Sequence, residues 1–195
     1  MRRMPSDVPR ATSVCPTLES MAHTRGTAAD GAVPARAPVR AAVAVIIVSD
    51  RSSRGDRVDT SGPRAVELLN EHGYAVSLTV IPDGIESVST AIRAAIDSGV
   101  RVVITSGGTG IGPRDLTPEG TRSLLERELP GISEELRRQG ASNTPFAVVS
   151  RGLAGIADNC LVVNLPGAVK AVSEGLAVLL PLIDHILSQL DGGDH

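Results

Sequence analysis

Aromatic side chains are almost absent from this 195-residue chain: it has no Trp, one Tyr (Tyr74) and one Phe (Phe146). Single-stranded nucleic acids and planar bases are commonly held by stacking on such rings, so a flat ligand here is expected to rest on backbone and aliphatic contacts. Basic charge is not in excess either. Nineteen Lys and Arg against 22 Asp and Glu leave a formal charge of −3, without the basic stripe of a nucleic-acid binder, and no nucleic-acid partner is expected. Cysteine is limited to Cys15 and Cys160, which excludes a disulfide framework and fits a reducing, cytoplasmic location. The four His, at 23, 72, 185 and 195, are scattered, and no His or Cys pair has the spacing of a zinc site. The apolar run from Ala41 to Val48 is too short to cross a bilayer and stops at Ser49, Asp50 and Arg51, so no membrane association is expected. Three nucleotide and hydrolase signatures are missing as well: the Gly-Lys-Ser or Gly-Lys-Thr of a P-loop, the G-x-G-x-x-G of a dinucleotide fold, and the G-x-S-x-G of a serine hydrolase.

What is present falls into two parts. Residues 1–40 are rich in Pro, Ala, Thr, Ser and Arg with no apolar period, and such a composition cannot bury enough surface to offset ordering. They read as a disordered N-terminal extension, with Met21 as an alternative start. From residue 41 to 195 short apolar runs alternate with helical stretches, the pattern of repeated βαβ units. The fold class expected is α/β, a three-layer α/β/α domain on a mostly parallel sheet. Strands are predicted at Val43–Val48, Tyr74–Ile81, Val100–Thr105, Phe146–Ser150 and Cys160–Leu165. Helices are predicted at Pro63–His72, capped by Thr60 or Ser61; at Glu86–Asp97; from Thr117, as cap, with Pro118 at the first position; at Ile132–Gln139; and at Ala168–Leu190. Pro181 is expected to kink or break the last of these, whose Leu, Val and Ile residues would suit a subunit contact.

The most informative stretch runs from Val102 to Glu119, where a β-branched strand enters a loop with glycines at 107, 108, 110 and 112, followed by Asp115 and a helix start. Glycine lets a backbone take positive φ and close on a ligand, and Thr105, Ser106 and Thr109 add hydroxyls, so the loop reads as a phosphate cradle at the carboxyl end of a strand. In a parallel sheet the other strand ends share that edge, bringing Ser49-Asp50, Asp59-Thr60-Ser61, Asp83 and Pro166-Gly167 with Lys170 to the same mouth. Carboxylates beside a phosphate site repel it unless a cation intervenes, which points to Mg²⁺ and a nucleotide reaction. Asp50, Asp59 and Asp83 are also compatible with turn or capping roles, and Lys170 with a solvated helix position. Asp115 precedes a helix that Thr117 already caps, so its carboxylate is the one least needed for structure.

Together these residues resemble the molybdenum-cofactor biosynthesis proteins of the MoaB/Mog type, a domain found also in gephyrin. The resemblance covers Val43 to about Leu190. It is carried by Val48-Ser49-Asp50, Asp59-Thr60-Ser61-Gly62-Pro63, Ile81-Pro82-Asp83, Thr105 to Gly110, Pro113 to Glu119, Ser150-Arg151-Gly152 and Asn164-Leu165-Pro166-Gly167. It implies a homotrimeric, cytoplasmic α/β protein that binds molybdopterin and uses Mg²⁺ and ATP to adenylylate the terminal phosphate of the pterin. Molybdopterin-AMP would then be handed to a molybdenum insertase. By the same resemblance Gly107, Gly108, Thr109 and Gly110 bind phosphate, and Asp83 and Asp115 are the catalytic acids and Mg²⁺ ligands. Ala168-Val169 stand where many relatives are polar, which keeps open a non-catalytic molybdopterin-binding or scaffold role, or another pterin-related activity. The related competence-damage domain suggests a third alternative, a nucleotide pyrophosphatase.

Overall fold

The computed structural model describes residues 40–193, so the expected disorder of the N-terminal extension lies outside the described residues. The elements follow in the order β1 (Ala42–Val48), α1 (Asp50–Ser53), α2 (Ser61–Glu71), β2 (Ala75–Ile81), α3 (Ile85–Asp97), β3 (Val102–Ser106) and α4 (Thr117–Arg122). Then come β4 (Arg127–Glu128), α5 (Pro130–Ala141), a 3₁₀ turn (Pro145–Val149), β5 (Ala154–Ala157), β6 (Cys160–Leu165) and α6 (Val169–Leu190). The six strands form one sheet in the order β2-β1-β3-β6-β5-β4. The pairs β1–β2, β1–β3 and β3–β6 are parallel, while β4–β5 and β5–β6 are antiparallel.

The central strands are apolar on both faces because both faces are covered, as in other parallel sheets. Val43, Val45 and Ile47 of β1 pack toward Leu69 of α2 and Leu176, Leu179 and Ile183 of α6. Ala44, Ile46 and Val48, one residue out of phase, pack toward Val88, Ile92 and Ile96 of α3. This is the expected three-layer α/β/α arrangement. Each fully buried Val, Leu or Ile contributes roughly 1.5–3 kcal/mol by leaving water, and that burial on two faces makes the strand register costly to shift.

Four local expectations are corrected. The segment Phe146–Ser150 is not a strand: Pro145 opens a 3₁₀ turn in which Phe146, Val148 and Val149 are exposed. The strand beside β6 is β5, in a stretch that reads as loop. Asp158 and Asn159 take left-handed φ of 45° and 60°, forming a two-residue hairpin turn that folds β5 back antiparallel. The cap of α2 comes from Asp59, whose Oδ1 accepts from the Ser61 and Gly62 amides at 3.0 and 3.2 Å; Thr60 makes no side-chain cap bond. Thr117 does not cap α4, since its buried hydroxyl donates to the Gly107 carbonyl at 2.8 Å.

The helix α6 passes through the exposed Pro181 as one 22-residue element, so no break occurs there. Its buried stripe of Val172, Leu176, Leu179 and Ile183 belongs to the core rather than to a free face, and of its large apolar residues only Val169 counts among the exposed ones. With a mean hydropathy of 1.5 it is nevertheless long and apolar enough to cross a membrane on length and composition, which the sequence reading overlooked.

Candidate active site

Because β1, β2, β3 and β6 are parallel, their carboxyl ends open at one edge of the sheet, where such folds hold ligands. The loop after β3 turns sharply, with φ of +111° at Gly107 and +61° at Gly108. A Cβ at Gly107 would overlap the Val48 carbonyl oxygen, and a Cβ at Gly167 would stand 3.3 Å from the Gly107 Cα. The loops after β1, β3 and β6 are therefore packed backbone against backbone. Gly107 N–H donates to the Leu165 carbonyl at 3.0 Å, but the amides of Gly108, Thr109 and Gly110 donate to no acceptor among the described residues. Three successive amides left open beside a cavity are a cradle for an anion.

Arg151 shapes this cradle from below. Its Nε donates to the Gly110 carbonyl at 2.7 Å, its Nη2 to the Asp115 carbonyl, and its guanidinium pairs with Glu119. The hydrogen bond from Arg151 holds the Glu119 carboxyl below the usual carboxylate range. Asn164 ties the strands beneath: its Nδ2 donates to the Thr105 and Thr121 hydroxyls, each at 2.9 Å, while its Oδ1 accepts from the Leu153 amide at 3.1 Å. Sequence reasoning left Arg151, Arg114, Asn164 and Arg137 out of the site. Arg151 and Asn164 had a signal in the Ser-Arg-Gly and Asn-Leu-Pro-Gly motifs; Arg137, on α5, had none.

The acids sort into different roles. The Asp50 amide donates to Asp83 Oδ2 at 2.7 Å and the Asp83 amide returns a bond to Asp50 Oδ1 at 3.1 Å. Arg114 grips both oxygens of Asp50 at 3.1 Å, and this hydrogen bonding lowers the Asp50 pKa. Asp115 Oδ2 accepts from the Gly112 amide at 2.8 Å, so this carboxylate braces its own loop as well as facing the cavities. Asp83 Oδ1 and Asp115 Oδ1 accept no hydrogen bond from the described residues.

Two cavities meet at the glycine loop. One, of about 440 Å³, lies between the loop, α5, the 3₁₀ turn and the start of α6; Leu136, Ala147, Val149 and Leu165 line it, with Arg137 as its cation. The other, of about 380 Å³, is polar and takes in Ser49, Asp50, Asp59 and Asp83 together with Arg51 and Arg57. Gly108, Asp115, Gly167 and Ala168 border both. Phe146 lines the first cavity while 78% exposed, so an aromatic ring is available to a flat ligand after all.

Several expected ligand residues have contacts within the scaffold, and of these Ser49, Ser61 and Ser106 also line the second cavity. Thr105 is buried under Asn164, and the buried Ser106 donates to the Pro166 carbonyl at 3.1 Å. Ser61 donates to Asp59 Oδ1 at 2.8 Å, and Ser49 caps α1 by accepting from the Ser52 amide. Lys170 lines neither cavity; it is exposed and pairs with Glu174 at 3.7 Å. Among the described residues no group of three or more His, Cys, Asp or Glu is placed to hold a metal.

A family model described as a probable molybdopterin binding domain matches residues 44–185. The molybdenum cofactor biosynthesis bifunctional protein of Chlorobaculum tepidum is 39% identical over 153 residues, 78% of this chain and 49% of that protein. The chain thus spans about half the length of that relative. The molybdopterin adenylyltransferase of Pyrococcus furiosus is 39% identical over 148 residues, 73% of this chain and 87% of that protein. The crystal structure of a molybdopterin biosynthesis protein from Mycobacterium abscessus matches with a TM-score of 0.74 and 44% identity, covering 78% of this chain and 97% of that one. The family match runs from the first strand into the last helix, and the chain belongs to the probable molybdopterin binding domain family.

Proposed function

We propose that this protein is a molybdopterin adenylyltransferase that transfers AMP from ATP to the terminal phosphate of molybdopterin. The observation that carries the reading is the wall between the two cavities, where Gly108 and Asp115 border a mostly apolar space on one side and an acidic one on the other, and Thr109 and Gly110 continue the row of open amides along the apolar side. A pterin fits the apolar side and a triphosphate with its cation the polar side, so that the two phosphate ends meet at the wall. The terminal phosphate oxygen of molybdopterin would form the new bond to the α-phosphorus of ATP. The bond from that phosphorus to the bridging oxygen would break, and pyrophosphate would leave with the electron pair.

The donor set suits Mg²⁺, which binds through one or two carboxylates and takes its other ligands from phosphate and water. Asp83 and Asp115, each with an oxygen that accepts no hydrogen bond from the described residues, would hold it. When bound, it would neutralise charge on the triphosphate. The protein's own part is positioning and charge stabilisation: the glycine-loop amides hold phosphate oxygens, Arg151 keeps the loop in the shape that exposes them, and Arg137 lies beside the pterin cavity. The same reading makes the protein a cytoplasmic homotrimer that passes molybdopterin-AMP to a molybdenum insertase. The exposed Leu78 and Val80 of edge strand β2 offer an apolar surface for subunit contact.

The test is incubation of the purified protein with molybdopterin, ATP and Mg²⁺ beside Asp115→Asn. Molybdopterin-AMP and pyrophosphate from the parent, and neither from the variant, are expected. A parent that binds molybdopterin but makes neither product would refute the enzyme reading. It would leave the non-catalytic alternative, which the apolar Ala168 at the border of both cavities favours.

A further inference from the structure

Asp83 and Asp115 sit on different loops, after β2 and after β3, yet a cation shared between them needs their separation fixed to a fraction of an ångström. No direct hydrogen bond joins the two carboxylates. The connection runs through two other side chains. Asp50, the first residue of α1 just after β1, exchanges backbone-to-carboxylate hydrogen bonds with Asp83 in both directions, at 2.7 and 3.1 Å. Arg114, the residue before Asp115, reaches across with Nε and Nη2 to the two oxygens of Asp50 at 3.1 Å, and with Nη2 to the Asp83 carbonyl at 2.6 Å. A planar guanidinium meeting both oxygens of one carboxylate is directional as well as strong. Asp50 is thereby removed from the set of cation ligands, since both its oxygens and its charge are engaged by Arg114.

We propose that Arg114 and Asp50 are positioning residues: together they form a strut across the segments after β1, β2 and β3 that sets the distance between the Asp83 and Asp115 carboxylates, and they act through those acids. The inference rests on the adenylyltransferase reading for its kinetic consequence, but its geometry stands without it. Groups that orient the ligands of a metal typically change affinity or activity about 10- to 100-fold when removed. Because both residues act as one unit, their effects should not add.

The experiment is a double-mutant cycle with Arg114→Ala, Asp50→Ala and the pair, with Arg114→Lys as a fourth variant. Circular dichroism verifies folding, and KM is measured for ATP and for molybdopterin. Each single variant is expected to lower kcat about 10- to 100-fold, with KM values within about twofold and the double variant no worse than the poorer single one. Arg114→Lys should lose nearly as much as Arg114→Ala, because an ammonium cannot form the fork. Losses that multiply in the double variant, or a raised KM for ATP with kcat retained and restored by Lys, would overturn the proposal and make Arg114 a substrate ligand. A parent without adenylylation activity would refute the function and not the strut. The strut is then read from hydrogen exchange at the Asp83 amide, expected to be about tenfold faster in Arg114→Ala; unchanged protection there would overturn it.

Discussion

Asn164→Leu is the substitution whose consequence follows most directly from the structure. Asn164 is 2% exposed and its side chain makes three hydrogen bonds, to Thr105 on β3, to Thr121 on α4 and from the Leu153 amide. Leucine is close in shape and makes none of them. At about 1 kcal/mol net for each bond, and a further 1 kcal/mol or so for a Leu153 amide left without an acceptor, the loss is about 3–4 kcal/mol. For a domain of this size 1 kcal/mol corresponds to roughly 2–4 °C in Tm, so a fall of about 6–16 °C is expected. The chain has no Trp, which makes calorimetry or far-ultraviolet circular dichroism the suitable assay. The double variant Thr105→Val with Asn164→Leu should recover part of the loss, because apolar groups on both sides leave fewer polar atoms unpaired. A Tm within 2 °C of the parent for Asn164→Leu, or no recovery in the double variant, would refute the idea that this buried network holds β3, β6 and α4 together beneath the glycine loop.

Acid should weaken the site-forming ion pairs. Asp50 and Glu119 have lowered pKa values in the fold, owing first to their hydrogen bonds with Arg114 and Arg151. Their stabilisation is present above the unfolded carboxylate values and is lost as pH falls from about 4 through the lower folded ones. Glu119→Gln should flatten that part of a stability-versus-pH curve, and an unchanged curve would count against the pairing. At the other end of the scale, burial pushes the Cys160 thiol up to about 12. Its neutral form therefore favours the fold up to the unfolded thiol value of about 8.5, and that contribution declines as pH rises from there toward the folded one. Site-resolved mass spectrometry should find Cys160 unreactive toward iodoacetamide at pH 8 until the protein is denatured, and rapid native labelling would contradict its burial. Phe146→Ala should weaken molybdopterin binding about 5- to 10-fold by removing a stacking surface, while ATP binding stays unchanged. Equal affinities by titration would show that the ring does not cover the pterin.

Much of the fold was legible because its signals are local. β-Branched runs mark β1, β3 and β6, and the positions of α2, α3 and α6 follow from apolar spacing with a glycine or a polar turn at the ends. Phe146–Ser150 was misread because an apolar run of that length looks alike whether it pairs or lies exposed. The Asp158-Asn159 turn that places β5 against β6 takes effect only once β6 is there to receive it. The candidate site was legible as residue types and not as roles. Asp50, Asp59 and Asp83 looked equivalent, and each turned out to have a different partner.

The sequence by itself determined the parallel α/β layering, the glycine loop at the end of β3, and the presence of acids on the neighbouring loops. Periodicity and backbone freedom depend on residues only a few positions apart. Tertiary structure alone decided which acid braces, which caps and which stays open, because those choices rest on contacts between distant segments. Asp50 meets Asp83 across 33 positions and Arg114 across 64, Arg151 reaches Gly110 across 41, and Asn164 reaches Thr105 across 59. Such bonds form when the parallel sheet brings its strand ends to one edge, and no pattern within a single segment encodes them.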